Sequence, residues 1–189
     1  MRLAICLSSV ALVAASVALA EVDQVALDIL RQSIVAEGTV NFSGMRTMVM
    51  FENGVKLRGF EQTVYEKAPG KLRMMVVAPP EQRGRLCVSD GLVHWEYDPV
   101  RQQAVRRELP PPEERRQRRL ADLEKVTRGM NIHYLGTDTV AGRRAHMICV
   151  CTGTGTPVKK TWVDTETFVV LRTQNFDSQG RIKLSWYYT

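Results

Sequence analysis

Along the chain the apolar positions keep a helical period near the start and an alternating period through most of the rest. Val22, Val25, Ala26, Ile29 and Leu30 recur at helical spacing, Asp23 stands where an N-cap belongs, and Gly38 ends a pattern that runs to about Ala36. This predicts an amphipathic helix whose single apolar face packs on a sheet. After Gly38 the period changes to two. Val40, Phe42, Met48 and Met50 share one parity, with Gly44 and Arg46 interrupting it, and Asn53-Gly54 marks a tight hairpin turn. Val55, Leu57, Gly59, Thr63 and Tyr65 continue on the far side, and Pro69-Gly70 is the next turn. Residues 72–77 read as a strongly apolar strand closed by Pro79-Pro80, and residues 85–89 and 92–97 as a hairpin around Asp90-Gly91.

The alternation breaks at Leu109. Pro110, Pro111 and Pro112 cannot join a central strand. Residues 113–127 read as a helix, acidic first and rich in Arg afterwards, with a thin apolar edge of Leu120, Leu123 and Val126. We expect this helix to form a lid over one end of the sheet. Strands resume at 132–135, 144–152, 158–163, 168–174 and 181–188, separated by clusters of turn residues. The predicted architecture is therefore mostly β (α+β): a curved antiparallel half-open barrel with an N-terminal helix and an inserted lid helix. A sheet curled around its own apolar face forms a groove suited to an apolar ligand.

The first twenty residues follow another pattern. Met1-Arg2 is a short positive start, residues 3–17 carry no charge, and Ala18-Leu19-Ala20 before Glu21 is a small-residue cleavage site. Residues 1–20 are thus expected to be a cleaved signal peptide and 21–189 one binding domain in the periplasm, or outside the cell where the source lacks an outer membrane. The formal charge is +6, and removing Arg2 with the leader leaves +5. A basic exported domain suits anionic headgroups or acidic partners, and its compartment argues against nucleic acid.

Three cysteines remain after cleavage: Cys87, Cys149 and Cys151. Cys149 and Cys151 point the same way along one strand, a geometry that disfavours a bond between them. Two readings stay open: one of them pairs with Cys87 across the sheet, or all three are small buried apolar side chains.

Candidate chemistry is sparse. His94, His133 and His146 fall in no metal-ligand spacing, and no Ser sits in a nucleophile elbow. Gly153-Thr154-Gly155 lacks the spacing and the helix of a phosphate loop. Asp164 and Glu166 flank Thr165 as turn residues do. We therefore expect no catalytic residues, no metal and no cofactor. The binding candidates are apolar: Phe42, Met48, Met50, Phe60, Met74, Trp95 and Tyr97, from a region crowded with Met and aromatic residues that suit an irregular apolar ligand. Arg115, Arg116, Arg118 and Arg119 form the strongest charge feature. They suit either local pairing with Glu113 and Glu114 or contact with headgroups at a membrane surface or with a partner.

Several segments in order carry a resemblance. They are Gly136-Thr137-Asp138-Thr139-Val140-Ala141-Gly142-Arg143, Lys160-Thr161-Trp162-Val163-Asp164, Val170-Leu171-Arg172, and Phe176-Asp177-Ser178-Gln179-Gly180-Arg181. Phe42-Ser43-Gly44, Arg73 after Pro69-Gly70, and Asp90-Gly91 before Trp95-Glu96-Tyr97 agree more loosely. Together they resemble the N-terminal domain of the RseB/MucB regulators of sigma-E, within the LolA-like superfamily of lipoprotein carriers, over most of residues 25–189. The resemblance implies a half-open barrel whose cavity holds lipid or lipoprotein acyl chains, and no enzyme activity. It implies either lipoprotein sorting or envelope-stress sensing through an anti-sigma factor or another envelope protein. The resemblance concerns only the N-terminal domain of RseB, which carries a second, C-terminal domain, and it leads us to expect one more strand beyond Thr189 at a sheet edge.

Overall fold

The computed structural model describes residues 21–189, so the leader expected over 1–20 lies outside the described residues. The elements run α1 (Gln24–Ala36), β1 (Phe42–Glu52), β2 (Val55–Lys67), β3 (Lys71–Ala78), β4 (Leu86–Ser89), β5 (Val93–Asp98) and β6 (Gln103–Glu108), then α2 (Pro112–Thr127). β7 (Met130–Val140), β8 (Arg143–Thr152), β9 (Pro157–Asp164), β10 (Val170–Phe176) and β11 (Ile182–Tyr188) complete the chain. The eleven strands form one sheet in the order β6-β5-β4-β3-β2-β1-β11-β10-β9-β8-β7. Every ladder is antiparallel, and the sheet is not closed into a barrel. Two meanders, β1–β6 and β7–β11, are joined through β1 and β11, whose register pairs Met48 with Trp186 and Arg46 with Tyr188. The last strand therefore lies in the middle of the sheet. The edges are β6 and β7, which corrects the expectation of an incomplete edge after Thr189.

α1 forms where its apolar spacing and cap agree. The Asp23 side chain accepts a hydrogen bond from the Ala26 amide at 3.2 Å, satisfying one of the free N–H groups of the first turn. Ala26, Leu27 and Ile29 are buried against Ile132, Ile148 and Val163, each of which is 0% exposed. Burying an Ile or Val side chain contributes about 1.5–3 kcal/mol, so this contact fixes α1 on the β7–β9 end of the sheet. A second apolar cluster, with Val64, Val140, Ala145, Trp162, Leu171 and Tyr188 buried, runs along the middle strands.

α2 begins with prolines at its first turn, where no intrahelical N–H bond is lost. Its apolar residues are only half-buried, with Leu123 against the α1 cluster. Its N-terminus rests on two hairpin turns. Arg115 Nη1 donates to the Gly91 carbonyl at 2.7 Å and the Pro110 carbonyl at 2.8 Å. Gly91 has φ +102°, and a Cβ there would lie 2.9 Å from the Pro69 carbonyl oxygen. Glycine is required at that contact on both counts. The helix is thus strapped across one end of β2–β5, as a lid helix was expected to be.

Some details differ from the sequence reading. β1 runs unbroken through Gly44 and Arg46. β6 was not foreseen: all six of its residues are exposed, so no face alternates. β7 extends to Val140 through an irregularity between Tyr134 and Thr137, where Gly136 has φ +96°. β10 starts at Val170 rather than 168 because Phe168, at φ +57°, still belongs to the turn. All three described cysteines are free. Cys87 lies on β4 and Cys149 and Cys151 on β8, with six strands between, so the expected option of a bond to Cys87 is excluded.

Candidate functional site

A cavity of about 380 Å³ opens on the same face of the sheet as the helices, over β1 to β6. The ladder builds its floor row by row. Val64, Met74, Cys87, Glu96 and Val105 are aligned across β2 to β6, and Met48 pairs with Phe60 alongside. Side chains alternate along each strand, so these residues share one face, while Leu86 and Tyr97 belong to the alternate row and border the cavity at its end. Met48, Phe60, Met74 and Val76 supply apolar surface, and Leu86 and Tyr97 close one end. The rim is polar. Arg85 donates to Asp98 at 2.6 Å, and Arg101 and Gln103 lie beside them. Hydrogen bonds from the backbone amides of Arg101 and Val100 hold the Asp98 carboxyl below the usual carboxylate range, helped by Arg85 and opposed by desolvation.

Four of the seven apolar candidates, Met48, Phe60, Met74 and Tyr97, line this cavity. The other three do not. Phe42 packs edge-on against Tyr188 at 5.6 Å between ring centroids. Met50 is exposed beside the β1–β2 irregularity at Met50/Phe51. Trp95 is exposed on the opposite face of β5. Sequence reasoning missed Gln62, Val76, Leu86, Cys87 and Val105. The β6 pairing signal for Val105 was hidden by a strand polar on both faces, and Gln62 looked like a solvent residue although it is 5% exposed.

Gln62 is buried because it has a partner. Arg46, between Met48 and Gly44 on β1, donates to Gln62 Oε1 from Nε at 3.1 Å and from Nη2 at 2.8 Å. Its guanidinium also lies 5.6 Å from the Trp186 ring centroid. Among the described residues no carboxylate stands within ion-pair distance of Arg46. Burial pushes the nearby Tyr188 phenol up to about 12, with Arg46 pulling it partly back. Arg46 therefore stands behind Gln62, which lines the cavity.

The four arginines of α2 are largely engaged within the chain. Arg116 pairs with Glu113, Arg118 with Glu114, and Arg119 with Glu37 at the C-cap of α1, while Arg115 holds backbone carbonyls. Local pairing with Glu113 and Glu114 was the plainer of the two expectations. Arg115, Arg116 and Arg119 also border a smaller cavity of about 250 Å³ with Leu72, Ser89 and His94, under the N-terminus of the helix. At the far end of the sheet, Asp164 is 1% exposed and works as a turn cap. It accepts from Arg143 at 2.5 and 2.9 Å, from the Thr167 amide and hydroxyl at 2.8 Å each, and from the Glu166 amide at 3.2 Å. Cys149 and Cys151 lie with their sulfurs 3.2 Å apart, and burial followed by the neighbouring thiol pushes Cys149 up to about 12. No trio of His, Cys, Asp and Glu among the described residues is arranged to hold a metal.

No protein-family model and no curated protein sequence matches the chain. Solved structures do. An uncharacterized conserved protein from Thermus thermophilus superposes with TM-score 0.56 at 14% identity, over 88% of this chain and 85% of that one. MucB in complex with MucA(peri) gives TM-score 0.59 at 18% identity, over 87% of this chain and 54% of that one. This chain therefore spans little more than half of MucB. The lipoprotein LppX of Mycobacterium tuberculosis gives TM-score 0.50 at 14% identity, over 88% of this chain and 94% of that one. An open eleven-stranded antiparallel sheet with both helices on the cavity face is the LolA-like fold, shared with MucB and LppX.

Proposed function

We propose that this protein is an exported, non-catalytic binding domain that holds a lipid or lipoprotein acyl chain in the cavity over β1–β6. The observation that carries the reading is the cavity itself: about 380 Å³, floored by Met48, Phe60, Met74 and Val76 and rimmed by charge. Its volume falls within the range of small-ligand sites, and its lining has the usual make-up of apolar walls with a few polar groups. Each methylene buried there contributes about 0.8 kcal/mol, so selectivity follows chain length more than headgroup. The leader pattern at 1–20 supports export to the periplasm or cell exterior. The LolA-like fold supports a binding rather than catalytic role, because MucB, part of which shares this fold, forms a complex with MucA(peri).

That complex also favours a second reading, in which an anti-sigma factor or other envelope protein is the ligand and lipid only modulates its contact. Titration of the purified protein with a fluorescent fatty acid separates the two. Saturable binding displaced by unlabelled acyl chains supports the cavity reading. Absence of saturable binding, with one membrane protein recovered by the immobilised domain, supports the second.

A further inference from the structure

The face of β2–β6 that turns away from the helices carries a continuous row of side chains. The registers align Tyr65, Arg73, Val88, Trp95 and Arg106 across five strands. Tyr65 is 52%, Trp95 45% and Val88 37% exposed. Next to this row, at the β2–β3 hairpin, Lys67 stands directly opposite Lys71. Like charges at such a position destabilise a ladder unless something neutralises them. No carboxylate lies within ion-pair distance of Lys67, Lys71 or Arg73 among the described residues, and Asp90 acts on Lys71 only from farther away. A shallow hollow of about 560 Å³ is lined by Tyr65, Lys67, Lys71 and Arg73, with Phe42 and one acid, Glu66, also at its wall.

We propose that this outer sheet face is a docking surface for an anionic phospholipid bilayer, with Lys67, Lys71 and Arg73 on lipid phosphates and Trp95 and Tyr65 at headgroup depth. Three features select a bilayer as the occupant. Trp and Tyr combine an apolar ring with a polar tip, which is what the membrane–water boundary accommodates. Lys and Arg lay apolar stems along the same boundary and keep their charge at the phosphates. The strands that carry Tyr65, Lys67, Lys71, Arg73 and Trp95 (β2, β3 and β5) are interior to the sheet, so their backbone groups are already paired and offer a partner no strand to extend; only β6, under Arg106, is an edge. The surface also reaches the cavity. Leu86 and Tyr97, aligned in the adjacent row, line its end, so a lipid leaving the bilayer here meets the cavity mouth. Docking does not depend on what fills the cavity, so its failure and the failure of the acyl-chain reading are told apart.

The test is co-sedimentation of the purified protein with vesicles of phosphatidylcholine and phosphatidylglycerol, against pure phosphatidylcholine, at low and high salt. Binding to the mixed vesicles that weakens with salt is expected. The triple variant Lys67→Gln/Lys71→Gln/Arg73→Gln removes three charges, each worth roughly fivefold at an anionic surface, and should bind on the order of a hundredfold more weakly. Trp emission should shift to the blue on binding and be quenched by brominated acyl chains. Trp95→Phe should bind but lose most of that response, because Trp162 is buried and Trp186 packs against Tyr188. Arg118→Glu on α2 should bind as the parent does. Wild-type protein left in the supernatant, a triple variant that binds like the parent, or loss of binding on Arg118→Glu alone would each overturn the proposal.

Discussion

Val105 gives the cleanest way to alter the cavity without altering the fold. It sits on the edge strand β6, pairs with Glu96 and lines the cavity, yet is 49% exposed. A substitution at such a position changes stability by about 0.5 kcal/mol or less, and Trp suits a strand. Val105→Trp keeps the backbone pairing and swings an indole over the row of Cys87 and Met74. If the ring excludes three or four methylenes, at about 0.8 kcal/mol each, the cost to binding is about 3 kcal/mol. That is on the order of a hundredfold in Kd. The assay is titration of a fluorescent fatty acid into both proteins, with a thermal melt of each. An unchanged Tm and a hundredfold weaker Kd are expected. Wild-type affinity in Val105→Trp, with Tm unchanged, would refute the assignment of this cavity as the acyl site.

Other perturbations test the frame. Burial alone would push the Asp164 carboxyl up, but Arg143, the Thr167 amide and hydroxyl and the Glu166 amide outweigh it and hold it far below the usual range. Its contribution to stability is therefore full above the unfolded carboxyl value of about 3.9 and is lost as pH falls below it. Asp164→Asn should cost about 2–4 kcal/mol in urea unfolding at neutral pH, discounted for the half-exposed Arg143, with the gap narrowing below about pH 4. A gap independent of pH would count against the carboxylate. Ile148, 0% exposed under α1, should cost about 2–5 kcal/mol on truncation to Ala, and a loss under 1 kcal/mol would mean α1 packs elsewhere. Cys149 and Cys151 should resist iodoacetamide at neutral pH until the protein unfolds, since their thiols are buried and the thiolate is the reactive form; rapid labelling in the native state would contradict the packing.

Where local signals agreed with burial, the fold was legible in the sequence. α1 announced itself through its spacing and Asp23, and the first hairpin through Asn53-Gly54, whose residues have φ of 52° and 81°. β6 was invisible because an edge strand solvated on both faces has no alternation to read. The middle of β7 looked like a turn because Gly136 interrupts the pairing there. The site was legible by composition but not by residue. Met48 and Met50 share a parity, yet only Met48 lies over the cavity; Met50 is exposed next to the register shift at Met50/Phe51. Parity within a strand also gave no hint of which face of the sheet it meets, so Trp95 was grouped with residues it faces away from. The arginines of α2 had partners three and four residues away that spacing already suggested, but the Arg119 pairing with Glu37 needed the packing of α2 on α1.

The central claim is that the cavity over β1–β6 holds an acyl chain, and native mass spectrometry with lipid extraction tests it most directly. The protein is purified from a host with its membranes intact and sprayed without denaturation. An adduct of acyl-lipid mass at near-stoichiometric level, recovered in the organic extract and reduced in Val105→Trp, is the predicted result. A clean unliganded mass, together with no saturable binding of fluorescent fatty acid, would contradict it and leave a protein partner as the ligand.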